Sequence, residues 1–390
     1  MAHGVLVHSL GSRQESNKLT SIRIAILGTR GVPARYSGFE TLAEELGSRL
    51  AERGHQVSVF TRRHMAEQGL ERHRGMTIRV RPALRMRAFE TLSHTALSCL
   101  DIARHEFDAA LMCNAANAPL IPLLHRRRIP VALNVDGLER ARRKWGVLGK
   151  LYYLLCERLS ARWADELITD AEVMRRYYRR RWRRDSTMVP YGGDLIAPDG
   201  RAALDRFGLE PGGYILYVSR FEPENNPDRV IESYRGVPGN HRLVLIGGAP
   251  YNPGLTACVQ ALAARDPRVL LTGFVYDDSY RELLFNAGAY VQATEVGGTH
   301  PALVEAMGAG RPVFYLDNPP NREVVGGAGV PFRFAAEPTL TTALSGFVAA
   351  PAQFAKFGAQ ARGRVLERYR WDDVTDAYER VFAELVGRRA

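Results

Sequence analysis

Four cysteines in 390 residues, Cys99, Cys113, Cys156 and Cys258, are too few and too scattered for a disulfide scaffold, and no two form a CxxC pair. They read as buried, reduced thiols of a cytosolic protein. No run of about eighteen apolar residues occurs, so no membrane-spanning helix is expected. Residues 1–21 carry only the short apolar stretch VLVHSL and read as a flexible tail without a strong secretory core. His, Cys, Asp and Glu are nowhere clustered at metal-ligand spacing, so no metal requirement is expected. Acidic residues are in the minority: 42 Asp and Glu against 53 Lys and Arg leave a net charge of +11. The surplus favours an anionic partner, whether a phosphate-bearing substrate, an acidic membrane or nucleic acid, although a solvated basic surface explains the total equally well.

What is present is an ordinary globular composition, 46% hydrophobic and 24% charged, in a chain too long for one core and comfortable for two. IRIAILG, residues 22–28, is a continuous apolar run ending in glycine, as expected of a strand buried on both faces of a parallel sheet. A glycine-bearing loop and a helix follow, with Leu42, Leu46 and Leu50 at helical spacing and Gly54 as its stop. HQVSVFTR completes a βαβ unit. MTIRVRP, FDAALMCN, IPVALNV and DELITD continue the strands, and TMVPYGGD leaves the first half. The pattern restarts with GYILYVSR, HRLVLIGGA, VLLTGFV, AGAYVQA and RPVFYLD. The fold class is α/β, two halves breaking near residues 190–200, and WDDVTDAYERVFAEL closes the chain as an amphipathic helix.

Three segments carry chemistry. In GTRGVPARYSGFE, Gly28 and Gly31 let backbone approach a ligand ahead of a helix N-terminus that favours an anion, and Arg30 and Arg35 add charge. This is not G-x-G-x-x-G, and no acidic residue ends the next strand, so dinucleotide binding is not supported. In SRFEPENNPDRVIESY, a strand delivers Arg220 to the carboxyl edge of the sheet, where a guanidinium can clamp a diphosphate, or pair with Glu222 or Glu224. In EVGGTHPALVEAMGAGRPV, Gly297 and Gly298 precede a helix with Thr299 as its expected N-cap, and Glu305 stands on the cleft side if Leu303 and Met307 face the core.

Together these motifs resemble glycosyltransferase family 4, retaining enzymes of the GT-B architecture with two Rossmann-like domains facing a cleft. The resemblance runs from about Ile22 to Leu385 and is strongest to a bacterial, rhamnosyltransferase-rich branch that builds polysaccharides. It implies an acceptor domain over 22–193, a nucleotide-sugar donor domain over 194–370, and a final helix from 371 packing back on the first domain. Gly31 would lie under the donor diphosphate, Arg220 would hold the phosphates, and Glu305 would hold the ribose. Asn225 stands where the family has a phosphate lysine, and Gly297 where it has the first glutamate of E-x7-E. The GGT backbone, Gly297 to Thr299, is expected to face the donor instead. The reaction implied is transfer of a sugar from a nucleoside diphosphate to a glycan or lipid-linked hydroxyl, with no cofactor beyond that substrate. A nucleotide-sugar epimerase of the same architecture and a non-catalytic nucleotide-sugar-binding module are the alternatives.

On the acceptor side stand Arg35, Tyr36 and Asp136, the last at the end of a strand beside a glycine, where an acceptor-orienting carboxylate and a plain Asx turn are equally good readings. His94 is a further cleft candidate on a helix that also reads as structural. The basic runs Arg140–Trp145 and Arg175–Arg184 interleave with Tyr and Trp. They suit nucleic acid, an anionic membrane or a solvated helix. Lipid-linked acceptors, which the resemblance implies, favour the inner face of a membrane over nucleic acid.

Overall fold

A computed structural model describes residues 21–35, 37–86, 89–102, 107–135, 137–248 and 252–388. Among these residues the strands form two sheets. The first contains β1 (Arg23–Leu27), β2 (Gln56–Arg62), β3 (Arg72–His73), β4 (Met76–Arg81), β5 (Ala109–Cys113), β6 (Val131–Val135), β7 (Glu166–Thr169) and β8 (Thr187–Met188), in the order β3-β4-β2-β1-β5-β6-β7-β8. All its pairings are parallel except the short β3–β4 ribbon. The second contains β9 (Tyr214–Val218), β10 (Arg242–Ile246), β11 (Val269–Gly273), β12 (Ala289–Gln292), β13 (Val313–Leu316) and β14 (Val330–Phe332), in the order β11-β10-β9-β12-β13-β14, parallel throughout. The expected α/β class with two parallel-sheet halves is what the chain adopts.

Both sheets are buried on both faces, which explains why their strands read as unbroken apolar runs rather than alternating ones. In β1, Ile24 and Ile26 pack into one core while Ala25 and Leu27 pack into another. In β9, Tyr214 and Leu216 face one way, Ile215 and Tyr217 the other. One core is continuous between the halves. It takes in Leu303, Val304 and Met307 of the helix Pro301–Gly308 and Trp371, Tyr378 and Phe382 of the last helix, Trp371–Gly387.

That last helix lies against the helix Gly38–Glu52 and against β5 and β6. Its buried Trp371, Val374, Tyr378, Val381 and Leu385 recur every three or four residues, one stripe of a helix. Arg53 pairs with Asp376 at 2.6 Å and Glu379 at 2.7 Å, and Asn134 donates to the Tyr378 hydroxyl at 2.5 Å. The VPYGGD turn anchors its start: the Trp371 amide donates to Asp194 at 2.7 Å, and the Gly193 amide to the Tyr369 carbonyl at 2.8 Å.

Two expectations need correcting. Cys258 is exposed, because the helix Pro253–Ala263 lies on the surface of the second sheet, whereas Cys99, Cys113 and Cys156 are buried. Thr299 is not the N-cap of Pro301–Gly308; His300 is, and the Thr299 hydroxyl donates instead to the Asp170 carbonyl at 2.5 Å across the boundary between the halves.

Candidate active site between the two sheets

The carboxyl ends of β1, β9, β10 and β12 all lead into loops that meet at one cavity of about 300 Å³ between the halves. Ligands of open parallel sheets bind at such ends because the following loops and helix N-termini are free to face a ligand. The first half contributes Ala34, Ser37, Gly38, Thr41, Glu44 and Glu45 to its wall, and the second contributes Ser219, Arg220, Asn225, Thr299, His300 and Glu305 among others.

On the first side, two carboxylates on the helix Gly38–Glu52 shape the loop. Glu40 accepts from the Arg30 amide at 2.9 Å and from the Ser37 hydroxyl at 2.6 Å; Glu44 accepts from the Ala34 amide at 2.5 Å. Gly28 and Gly31 lie outside the cavity wall. A Cβ on Gly28 would collide with the Cys113 carbonyl, and one on Gly31 with the Thr61 side chain, so both positions serve close packing of the loop on β5 and β2. Arg35 sits at the surface in an ion pair with Glu67. Tyr36 and Asp136 lie outside the described residues.

His94 does not reach the cleft. It is fully buried in the helix Glu90–Ile102, and burial, with the neighbouring Arg62 charge, pushes its pKa down to about 3. It is a neutral core residue, because burial disfavours the charged imidazolium and the nearby Arg62 adds to the effect.

On the second side, Arg220 follows β9 directly into the cavity, and Asn225 fixes that turn by donating to the Arg220 carbonyl at 2.7 Å. Glu305 lies in the second turn of Pro301–Gly308 with Leu303 and Met307 buried behind it. Tyr280 donates to Glu305 Oε2 at 2.6 Å. Burial raises the Glu305 carboxyl to about 7, against a partial lowering by the Tyr280 hydrogen bond. Gly297 and Gly298 lie behind the wall, flanked by Val296 and Thr299, which do line it. Gly298 abuts Asp170, whose carboxylate accepts from the Thr299 amide at 2.8 Å.

The run Arg140–Trp145 is not a basic surface. Arg140 is bound to Glu157 at 3.0 Å and to the Tyr177 hydroxyl at 3.0 Å; Arg143 pairs with Glu295 at 2.7 Å; Arg142 is buried at the cavity wall. Glu139 stands close by in the sequence, but the other carboxylates that hold these cations, Glu157, Glu224 and Glu295, lie 17, 82 and 152 residues from their partners, so the sequence could not reveal the arrangement. Tyr280, Phe274 and Tyr276 are further wall residues that spacing did not flag. In the second run, Arg175 and Arg179 pair with Asp185, whereas Arg180, Arg181 and Arg183 are exposed. Among the described residues no group of three or more His, Cys, Asp or Glu is placed to hold a metal ion, and no helix is long and apolar enough to cross a membrane.

Two Rossmann-like halves meeting at a cavity, joined by a C-terminal helix that returns to the first half, make the GT-B architecture. Residues 37–192 match the model of the glycosyl transferase 4-like domain, and residues 206–345 match that of glycosyl transferases group 1. The chain belongs to this glycosyltransferase family, and it is a transferase. Solved structures with the same fold include sucrose-phosphate synthase from Thermosynechococcus elongatus, 20% identical with a TM-score of 0.79 over 94% of this chain and 99% of that one. HepE of Anabaena, solved with UDP-glucose, is 16% identical with a TM-score of 0.74, over 94% and 99%. WaaG, a glycosyltransferase involved in lipopolysaccharide biosynthesis, is 15% identical with a TM-score of 0.69, over 92% and 99%. No curated protein sequence matches the chain.

Proposed function

We propose that the chain transfers a sugar, with retention of anomeric configuration, from a nucleoside diphosphate to a hydroxyl of a glycan or lipid-linked acceptor during cell-surface polysaccharide synthesis. Rhamnose is the first sugar to test. The observation that carries the reading is the cavity wall, where Arg220 and Glu305 share one space with the N-terminus of Pro301–Gly308. In this reading Arg220 and the helix N-terminus stabilise the charge that develops on the leaving diphosphate, the largest electrostatic demand of such a transfer. Glu305 accepts from the ribose hydroxyls, and the first half receives the acceptor, with Arg35, Tyr36 and Asp136 as the acceptor-side residues that the sequence offers.

The membrane part of the reading moves from the arginine runs to an apolar stripe. On the helix Val147–Trp163, Leu148, Leu151 and Leu155 are exposed at spacings of three and four, and the exposed Arg158 and Arg162 continue the same stripe. Leu97 and Leu100 are exposed on Glu90–Ile102, which packs against the same short turn, Ala115–Leu120. Exposed leucines rimmed by cations suit the boundary of an anionic bilayer.

The test is a screen of nucleotide sugars with and without saccharide and lipid-linked acceptors, run in EDTA. Acceptor-dependent release of nucleoside diphosphate, unaffected by the chelator, is expected. Conversion of donor without acceptor identifies an epimerase, and binding without turnover identifies a recruiting module.

A further inference from the structure

The loop that leaves β6 crosses the cleft. Gly137 lies against Gly297 of the opposite half, a short turn follows at Glu139–Ala141, and Arg142 comes next. Arg142 is only 4% exposed, yet it lines the cavity beside Ser219, Arg220 and Asn225. Two carboxylates hold it, one from each half: Glu139 on its own turn, and Glu224 at 3.1 Å from the loop after β9. Lys144 approaches the same Glu139 at 3.7 Å. Burial alone would raise the Glu139 carboxyl, but Arg142, Lys144 and Arg220 together pull it down to about 2, so the three cations act on one spot. The loop after β9 brings a single cation to the cavity wall, because position 225 is a neutral asparagine tied to the Arg220 carbonyl. A diphosphate carries more charge than one guanidinium can neutralise.

We propose that Arg142 is a diphosphate-binding residue of the donor site, so that the phosphates are held between one arginine from each half. The inference rests on the donor-binding reading above. It makes donor binding and closure of the cleft a single event, since the second cation is in place only when the β6 loop lies across the boundary. The Glu139 and Glu224 pairs keep the guanidinium at the wall in a fixed orientation. Glu224 Oε2 is buried with no hydrogen-bond partner, so removal of Arg142 alone strands a buried carboxylate.

The test titrates UDP, ADP, GDP, dTDP and the matching monophosphates into wild type, Arg142→Gln, Arg142→Lys, Glu224→Gln and the double variant Arg142→Gln/Glu224→Gln. Arg142→Gln should weaken the preferred diphosphate by about 10- to 150-fold, the effect of one charge-assisted phosphate contact, and shrink its preference over the monophosphate. Arg142→Lys should restore most of that preference. Glu224→Gln cuts the same ion pair from the other side and should leave the preference in place. The double variant, free of a stranded carboxylate, should bind like Arg142→Gln. Equal losses for di- and monophosphate in Arg142→Gln, or the same loss in Glu224→Gln, would make Arg142 only a tie between the halves and overturn the proposal. If wild type binds none of the diphosphates, the donor-binding reading falls with it; if wild type binds and every variant binds equally, this inference alone falls.

Discussion

Gly137 and Gly297 are in contact across the boundary between the two halves: a Cβ on Gly137 would overlap the Cα of Gly297. Gly297 also has φ of +150°, a conformation that side-chain-bearing residues rarely adopt. A Cβ on Gly297 would itself overlap the His300 ring, so the position at which the resemblance expects a glutamate has no room for one in this conformation.

It follows that Gly137→Ala should prop the cleft open. Overpacking of this kind typically costs about 1–3 kcal/mol, and the strain can be relieved by separating the halves. Donor affinity should fall by roughly 10- to 100-fold, at the standard conversion of about 1.4 kcal/mol per tenfold. Small-angle scattering should show a larger radius of gyration. Unchanged affinity and dimensions would mean that closure does not need this contact.

Glu305 supplies a pH dependence. Burial raises its pKa from 4.5 to about 7, so near neutrality a share of the protein carries it protonated. If the carboxylate is the form that accepts from ribose, donor affinity should rise with pH between about 6 and 8 and level off above, with a limiting slope of tenfold per unit on the acid side. The stability of the free protein should run the other way. The unfolded carboxyl ionises near 4.5 and the folded one near 7, so the folded state binds the extra proton and loses stability as pH rises across that window. Calorimetric titration at several pH values, on wild type and Glu305→Gln, reads the affinity and thermal unfolding reads the stability; a glutamine variant that keeps the wild-type pH profiles would show that Glu305 is not the titrating group.

Much of this was legible from sequence, for physical reasons. Strands such as IRIAILG and GYILYVSR stand out because parallel sheets bury both faces and leave unbroken apolar runs between glycines. The tiny β3 and β14 do not, since two or three residues carry no pattern. That Arg220 and Glu305 face the cavity is legible in the sequence because local order, a strand end and a helix turn, decides where they point. The burial of Arg142 is not legible in the sequence, because a basic run looks the same whether its counter-charges are solvent or Glu224 of the other half. Thr299 looks like a cap in the sequence because its true partner, Asp170, is distant along the chain.

For the lipid-facing stripe, replacing Leu148, Leu151 and Leu155 with Ser should reduce sedimentation with anionic vesicles while sparing transfer to a short soluble acceptor. All three are exposed and outside the cavity wall, so folding should be little affected. Replacing Arg180 and Arg181 should have the smaller effect, and all binding should weaken with salt. Vesicle binding that ignores the leucines would return the arginine helix to first place.

In the proposed function the cavity between the two sheets binds a nucleotide sugar through Arg220, and calorimetric titration of the donor into wild type and Arg220→Ala checks this. Arg220 reaches the wall from the end of β9, so its loss should remove one charge-assisted phosphate contact, about 1.5–3 kcal/mol, and weaken the donor by roughly 10- to 150-fold with the fold intact. Equal affinity of the folded variant and wild type for the donor would contradict the account.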